Sequence, residues 1–336
     1  MDDLKRTHAI VALLRQTTNK DVVADFLKAK DLASSGTWDD LLTKRIVPAV
    51  ADNKVSNDEL IALLRSAEEH GKQHVFLYQT PKATAQDRMA RARITAELKR
   101  RKIEAILVQP MVLDQPDTPT IVDVRWESAH IDLSVTVKEV ERRESQRFAR
   151  QEHSADGKRL IKTYDVVRER AVNVVRLHHD GLLEMRISAR STGSTKYDQD
   201  VKMFWNRLRG IVDLGDYKPL PLAKFKAKLL DPAALAGVIR SSGSTLRNAD
   251  GTVMNMSSRG ADADLYGDGG AADGISAFAA RGGFCDGSNF FFTKNAHLSK
   301  DVHILVSGAV NEFAVTADCS EEDYRYVLSQ VRRLNT

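Results

Sequence analysis
The sequence predicts a mixed α/β (α+β) protein, with a helical N-terminal domain, a β-rich centre and a C-terminal strand–strand–helix unit. Three observations carry this. Apolar residues recur at helical spacing through residues 1–70, apolar–polar alternation replaces it after Gly71, and the chain closes on two short apolar runs and an amphipathic helix. The 336 residues are 42% hydrophobic and 29% charged, enough to bury a sizeable core and to form two or three parts. The expected division is a helical domain over 1–72, a central α/β domain with a long basic helix over 73–230, a Gly/Ser/Asp-rich insertion over 231–300, and the closing unit over 301–336.

Leu4, Ala9, Ile10, Leu13 and Leu14 mark a first helix, and Val22, Val23, Phe26 and Leu27 a second, stopped by Ser34-Ser35-Gly36. Trp38, Leu41, Leu42, Ile46 and Val47 mark a third, which Pro48 kinks or ends. Ser56 and Glu59 form a capping box, and the helix they open runs to Gly71 as its C′ residue.

His74 to Tyr78 reads as a strand ended by Pro81. Residues 83–107 read as one long basic helix on Met89, Ile94, Leu98 and Ile103, and Pro110, Pro116 and Pro119 define a loop. Ile121 to Trp126 is a strand, and Ile131, Leu133, Val135 and Val137 alternate as a half-buried one. The charged stretch 139–162 reads as a long loop or an exposed helix. Residues 164–177 and 182–189 form a hairpin turned by Asp180-Gly181. A helix follows over about Asp198 to Gly210. The glycine-rich segment 240–293 is expected to be flexible or irregular. Val302–Val306 and Phe313–Ala317 pair as a hairpin, and Ser320 to Asp323 caps a final helix on Tyr324, Val327, Leu328 and Val331.

Two cysteines, Cys285 and Cys319, exclude a disulfide scaffold and a four-cysteine zinc module, and point to a reducing compartment. No apolar run approaches a membrane span, and Met1 to Arg6 lacks a signal-peptide apolar region. The expectation is a soluble cytoplasmic protein, nucleoid-associated or nuclear if it binds DNA, with no membrane partner. The net charge of +4 is unevenly spread. Residues 229–336 carry −4 and the rest +8, with surpluses of +5 in each of 82–110, 142–176 and 202–228. Folded together, these stretches would make one positive surface.

The segment Asp21 to Val50 resembles the SAP motif, a helix–extended–helix DNA-binding module. Leu27, Leu32, Ser35, Gly36 and Leu41 match its pattern, and Lys44, Arg45 and Ile46 approximate its closing signature, shifted by one residue. Trp38 stands where that family usually places a basic residue. The resemblance implies phosphate contacts from helix N-terminal N–H groups and from Lys44 and Arg45. Over residues 1–210 the order of elements also resembles the kinetochore CENP-N family, on the strand Val75–Tyr78, the basic helix and the strand Val124-Arg125-Trp126. That resemblance implies a helical domain joined to a curved α/β domain, a basic DNA groove between them and no catalytic site.

The candidate nucleic-acid-binding residues are Lys44, Arg45, Lys99, Arg100, Arg101, Lys102, Arg142, Arg143, Arg147 and Arg150. Four consecutive cations at 99–102 fan over about 300° of a helix, so some must face outward. Arg143, Arg147 and Arg150 share a face if their segment is helical. The function expected is non-catalytic, sequence-independent binding of double-stranded DNA, with a protein–protein adaptor and a metal-dependent nuclease as alternatives. A protein partner or a second copy is therefore also possible on this reading, and no cofactor is nominated. The nuclease rests on Asp123 and Lys138, but Thr136, two before Lys138, is not a carboxylate. His178-His179-Asp180 is explained by turn chemistry, and Asp262, Asp264 and Asp268 lack the spacing of a calcium loop. There is no phosphate-binding GxxxxGK[ST] loop, and neither cysteine has a histidine partner apparent in the sequence.

Overall fold
The computed structural model describes residues 3–129, 132–154, 156–190, 197–235, 237–260, 262–306 and 309–336. The fold is mixed α+β, built on an eleven-stranded antiparallel sheet with helices on both faces.

Helices α1 (Asp3–Thr17), α2 (Lys20–Lys28), α3 (Trp38–Asp40), α4 (Val47–Ala51) and α5 (Asn57–His70) form an N-terminal bundle around Ile10, Leu14, Leu27, Ile46 and Leu60. Between α3 and α4 the chain makes a π-helical turn over Leu41–Ile46. Pro48 lacks the N–H that Lys44's carbonyl would receive, and the wider turn accommodates the loss. Ser56 and Glu59 cap α5 reciprocally, as expected. Gly71 is not a left-handed cap: its φ is −115°. It is glycine because a Cβ would lie 2.8 Å from the Ala317 carbonyl oxygen, and the left-handed turn falls to Lys72 instead.

Strand β1 (Gln73–Gln79) lies mid-sheet. The single long helix expected over 83–107 is in fact α6 (Lys82–Arg88), α7 (Arg91–Arg100) and a short 3₁₀ turn over Glu104–Leu107. The break at Ala90 leaves the Met89 carbonyl free to accept the Trp126 indole N–H at 2.9 Å. Strands β2 (Thr120–Ala129), β3 (Asp132–His153), β4 (Leu160–His178) and β5 (Leu182–Ser188) form a meander. Ile131, where an alternating strand was expected to begin, lies outside the described residues. The charged stretch 139–162 is neither loop nor helix; it is the outer half of the β3–β4 hairpin. Both faces of that half are solvated, so its side chains carry no apolar period.

Helix α8 (Asp198–Leu208), strand β6 (Lys218–Pro219) and helices α9 (Ala223–Lys228) and α10 (Pro232–Leu235) follow. The glycine-rich segment, expected to be flexible or irregular, instead carries regular elements among its described residues: β7 (Ile239–Arg247), β8 (Val253–Ser257), helix α11 (Gly269–Ala280) and β9 (Phe284–Phe292). Ile239, Leu246, Phe290 and Phe292 anchor its strands in the core, and Gly283 leaves room for the Phe278 ring. Strands β10 (Val302–Val306) and β11 (Glu312–Val315) and helix α12 (Glu321–Leu334) close the chain, with Ser320 accepting from Asp323 N–H. Strand order is β2-β3-β4-β5-β1-β11-β10-β9-β7-β8, with β6 beside β1. The expected insertion and closing unit thus extend the same sheet as the centre.

Alternation assigns the two faces. Phe76, Val135, Val137, Val175 and Met185 point to a back face packed against α7 and α8 through Ile94, Leu98 and Phe204. Lys138, Arg176, Glu184 and Arg186 point to a front face under α5 and α12. Among the described residues no helix is long and apolar enough to cross a membrane.

Candidate nucleic-acid interface
The ten nominated cations do not converge. Lys44 and Arg45 sit on the π-helical turn of the bundle, which meets the front face through α5. Lys99 to Lys102 end α7 on the back face, so the sheet stands between the two groups. Several are also engaged locally. Lys44 pairs with Asp40 at 2.6 Å, and Arg100 grips Glu97 through two 2.7 Å hydrogen bonds. Arg101 donates to Glu97 and to the Arg207 and Arg209 carbonyls, capping the C-terminus of α8. Lys102 adopts a left-handed φ of 59° that ends α7.

The remaining four lie on a β-arm. Strand β3 loses its β2 neighbour after Val140, and β4 has its last β5 partner at Val174. Outward from Arg142, which donates its N–H to the Pro116 carbonyl, the two strands pair, among the described residues, only with each other, through His153 and Leu160. About ten residue pairs at ~3.3 Å each make a free ribbon roughly 30 Å long. Arg143 stands opposite Glu169 and is held at the root, pairing with Glu141 at 2.8 Å and donating to the Ser188 carbonyl, whereas Arg147 stands opposite Asp165. A register shift between Phe148 and Arg150 places Arg150 opposite Thr163, so Arg143, Arg147 and Arg150 share one face. The shared face expected of a helix is thus present on a strand. Arg142 points to the other face and pairs with Asp117 at 3.1 Å. Arg147, Arg150, Lys158, Arg159, Lys162 and Arg168 are exposed. Phe148 and Tyr164 cross edge to face at 6.0 Å, and both are exposed with Leu160, Ile161 and Val166.

A buried ion-pair network holds the root of the arm. The Arg170 guanidinium binds Glu68 at 2.7 Å and donates to the Val112 and Asp114 carbonyls. Lys138, wholly buried, pairs with Glu68 at 2.5 Å and Glu69 at 3.3 Å. Arg125 joins Glu69, Asp123 and Glu127, while Arg65 reaches Asp123 at 3.1 Å. Further along, Arg176 binds Glu127 and Ser134, and Glu184 binds His178 and the Tyr324 hydroxyl. The Arg186 guanidinium lies 5.0 Å over the Tyr324 ring and donates to the Glu69 carbonyl. Burial would raise the Glu69 carboxyl, but Arg125 and Lys138 outweigh it and hold the group well below the usual range. Arg186 does the same for Glu184 against its burial. Burial, then the Glu184 charge, pushes the Tyr324 phenol far up. Burial, reinforced by Arg186, pushes the His70 imidazole down to about 3.

Asp123 and Lys138, nominated for metal-assisted hydrolysis, are direct cross-strand neighbours, but both are committed to these ion pairs. Among the described residues no three His, Cys, Asp or Glu side chains are arranged to hold a metal. Glu68 and Glu69 escaped the sequence reading. Their signal was Glu-Glu at a helix C-terminus, where the backbone dipole disfavours anions unless buried cations compensate. Of the remaining nominees, Asp180 accepts from Leu182 N–H and pairs with Arg332 at 2.7 Å. Asp264 accepts from the Ser241 and Tyr266 N–H groups, and Asp268 caps α11. Comparison with protein-family models and with curated proteins finds no match to the chain.

Proposed function
We propose that this protein binds double-stranded DNA without catalysis and without reading base sequence, and that the β-arm is its principal contact. The observation that carries this reading is the alignment of the exposed Arg147 and Arg150 on one face of a two-stranded ribbon that projects beyond the sheet, in line with Arg143, which is anchored at the root. The major groove admits a two-stranded β-ribbon, and arginines spaced along it reach phosphates on its walls. Lys158, Arg159 and Lys162 near the tip extend the positive surface. The buried network at the root fixes the direction of the arm, so little ordering entropy is lost on binding. The cations at 44–45 and 99–102 contribute long-range attraction rather than a shared groove.

The test is anisotropy of a labelled 30-base-pair duplex across a salt series. The comparison is with a variant in which Asn-Gly replaces residues 147–165, a hairpin that leaves Arg170 and Lys138 in place. The whole protein should lose affinity along a straight log–log line as salt rises. The shortened variant should bind at least tenfold more weakly, with a shallower slope. Equal binding by the two proteins, or affinity indifferent to salt, would overturn the reading.

A further inference from the structure
The sheet ends on β8, and among the described residues no strand pairs with the outer edge of that strand. The Ser258 N–H donates to the Ser242 carbonyl, and the Asn248 N–H donates to the Thr252 carbonyl. Positions 252, 254, 256 and 258 therefore turn their backbone polar groups towards β7, and Val253, Asn255 and Ser257 turn theirs outward. The strand reads Val-Met-Asn-Met-Ser. It has no proline, no charge and no bulge, the devices that usually guard an edge.

A cavity flanks this edge on each face. The back-face cavity, about 470 Å³, is walled by Thr245, Asn255, Ser257, Asn289 and Phe291. The front-face cavity, about 610 Å³, lies between β8 and the start of α11, against Met256, Asp264, Leu265 and Asp268. A strand added to β8 would direct alternate side chains into one cavity and then the other, the arrangement by which an open edge captures an extended segment. The charged residues that line the front-face cavity are Asp264, Asp268 and Arg259, a net negative set.

The same molecule carries the complementary element. On the arm, residues 160–168 of β4 have no strand on their outer edge among the described residues. They carry exposed Leu160, Ile161, Tyr164 and Val166 and the cations Lys162 and Arg168, the latter paired with Glu144, with Arg159 beside them. We propose that the β4 edge of the arm of one copy adds as a strand to the open β8 edge of a second copy. Apolar side chains exposed on the arm then enter the two cavities, and the arm's positive charge meets the aspartates. Because two different surfaces meet, association either closes reciprocally or grows head to tail. The proposal goes beyond the nucleic-acid reading and does not depend on it.

Sedimentation of the full chain without DNA, over a concentration series at low and high salt, tests it. The mass should rise above the 37.4 kDa of one chain with concentration, less so at high salt. Asn255→Pro removes an outward N–H that has no partner in β7, so the fold should tolerate it. The double variant Ile161→Asp/Lys162→Glu alters exposed arm positions. Each variant alone should associate at least tenfold more weakly. Mixed together they should recover a one-to-one complex, because one retains the arm and the other the edge. A labelled peptide copying residues 158–168 should bind the wild-type protein and not Asn255→Pro. A protein monomeric at all concentrations, association that survives both variants, or a mixture that fails to pair would each overturn the proposal. Loss of DNA binding with self-association intact would refute the nucleic-acid reading alone.

Discussion
Arg170 and Glu68 meet at 2.7 Å, 102 residues apart in the chain, with both side chains closed off from solvent. This contact joins the last helix of the bundle to the root of the arm. Glu68 also carries Lys138, so one carboxylate balances two buried cations. Replacing Glu68 with Gln keeps the shape and removes the charge. Chemical denaturation should show a loss of about 3 kcal/mol, the usual cost of leaving a buried ion without its partner. A loss below about 1 kcal/mol would mean that water reaches the pair.

Arg147→Glu and Arg150→Glu should each weaken duplex binding and lower the salt slope by about 1, with the melting temperature unchanged, since both side chains are exposed. Arg101→Glu should behave in the opposite way. Its guanidinium holds the end of α8, so the variant should melt earlier while the salt slope changes little.

His70 sets the acid limb of stability. Its imidazole is held down to about 3 in the fold, against 6.5 in the unfolded chain. As pH falls below 6.5, the unfolded chain takes up a proton that the folded one refuses, so stability falls by about 1.4 kcal/mol per pH unit. Glu69 and Glu184, both depressed in the fold, add losses of the same sign below their unfolded value of 4.5. Unfolding free energies between pH 6 and 5 should approach this slope in the wild type and fall less steeply in His70→Phe, where the remainder comes from His303, whose imidazole is also held down by burial. A slope unchanged in the variant would assign the acid limb to another group.

Gly181 turns the β4–β5 hairpin at a φ of 100°, and a Cβ there would lie 2.1 Å from the Thr80 carbonyl oxygen. Gly181→Ala should cost about 2 kcal/mol or more, from left-handed strain plus collision. Gly157, at the arm tip with φ 67°, has nothing near its Cβ position, so Gly157→Ala should cost only about 1 kcal/mol of strain. Thermal unfolding of the pair separates the two effects.

Burial pushes the Cys285 thiol up to about 11 and the Cys319 thiol up to about 12. Neither should react with a disulfide reagent at pH 8 until the protein unfolds, when both should react together. Fast labelling of either thiol in the native state would contradict their burial.

What the sequence alone determined was local. The Ser56–Glu59 box, the Ser320 cap, the Asp180-Gly181 turn and the alternation from Leu182 to Ser188 each express hydrogen bonds or side-chain periods within a few residues. Such features survive in the linear string because every participant is a near neighbour. The arm was illegible for the converse reason: with both faces in water, its strands carry no apolar period, and only pairing across the hairpin makes them strands. The glycine-rich segment hid three strands because the residues they pack against, such as Phe225, Val302 and Ile304, come from elsewhere in the chain. Tertiary structure alone decided the fate of charge. It buried Lys138 and Arg170 against Glu68, left Arg147 and Arg150 in solvent, and set the 44–45 and 99–102 cations on opposite sides of a sheet. A charged side chain can be buried only where an opposite charge is buried with it, and for Arg170 that partner is supplied by a segment roughly a hundred residues away, which no local pattern encodes.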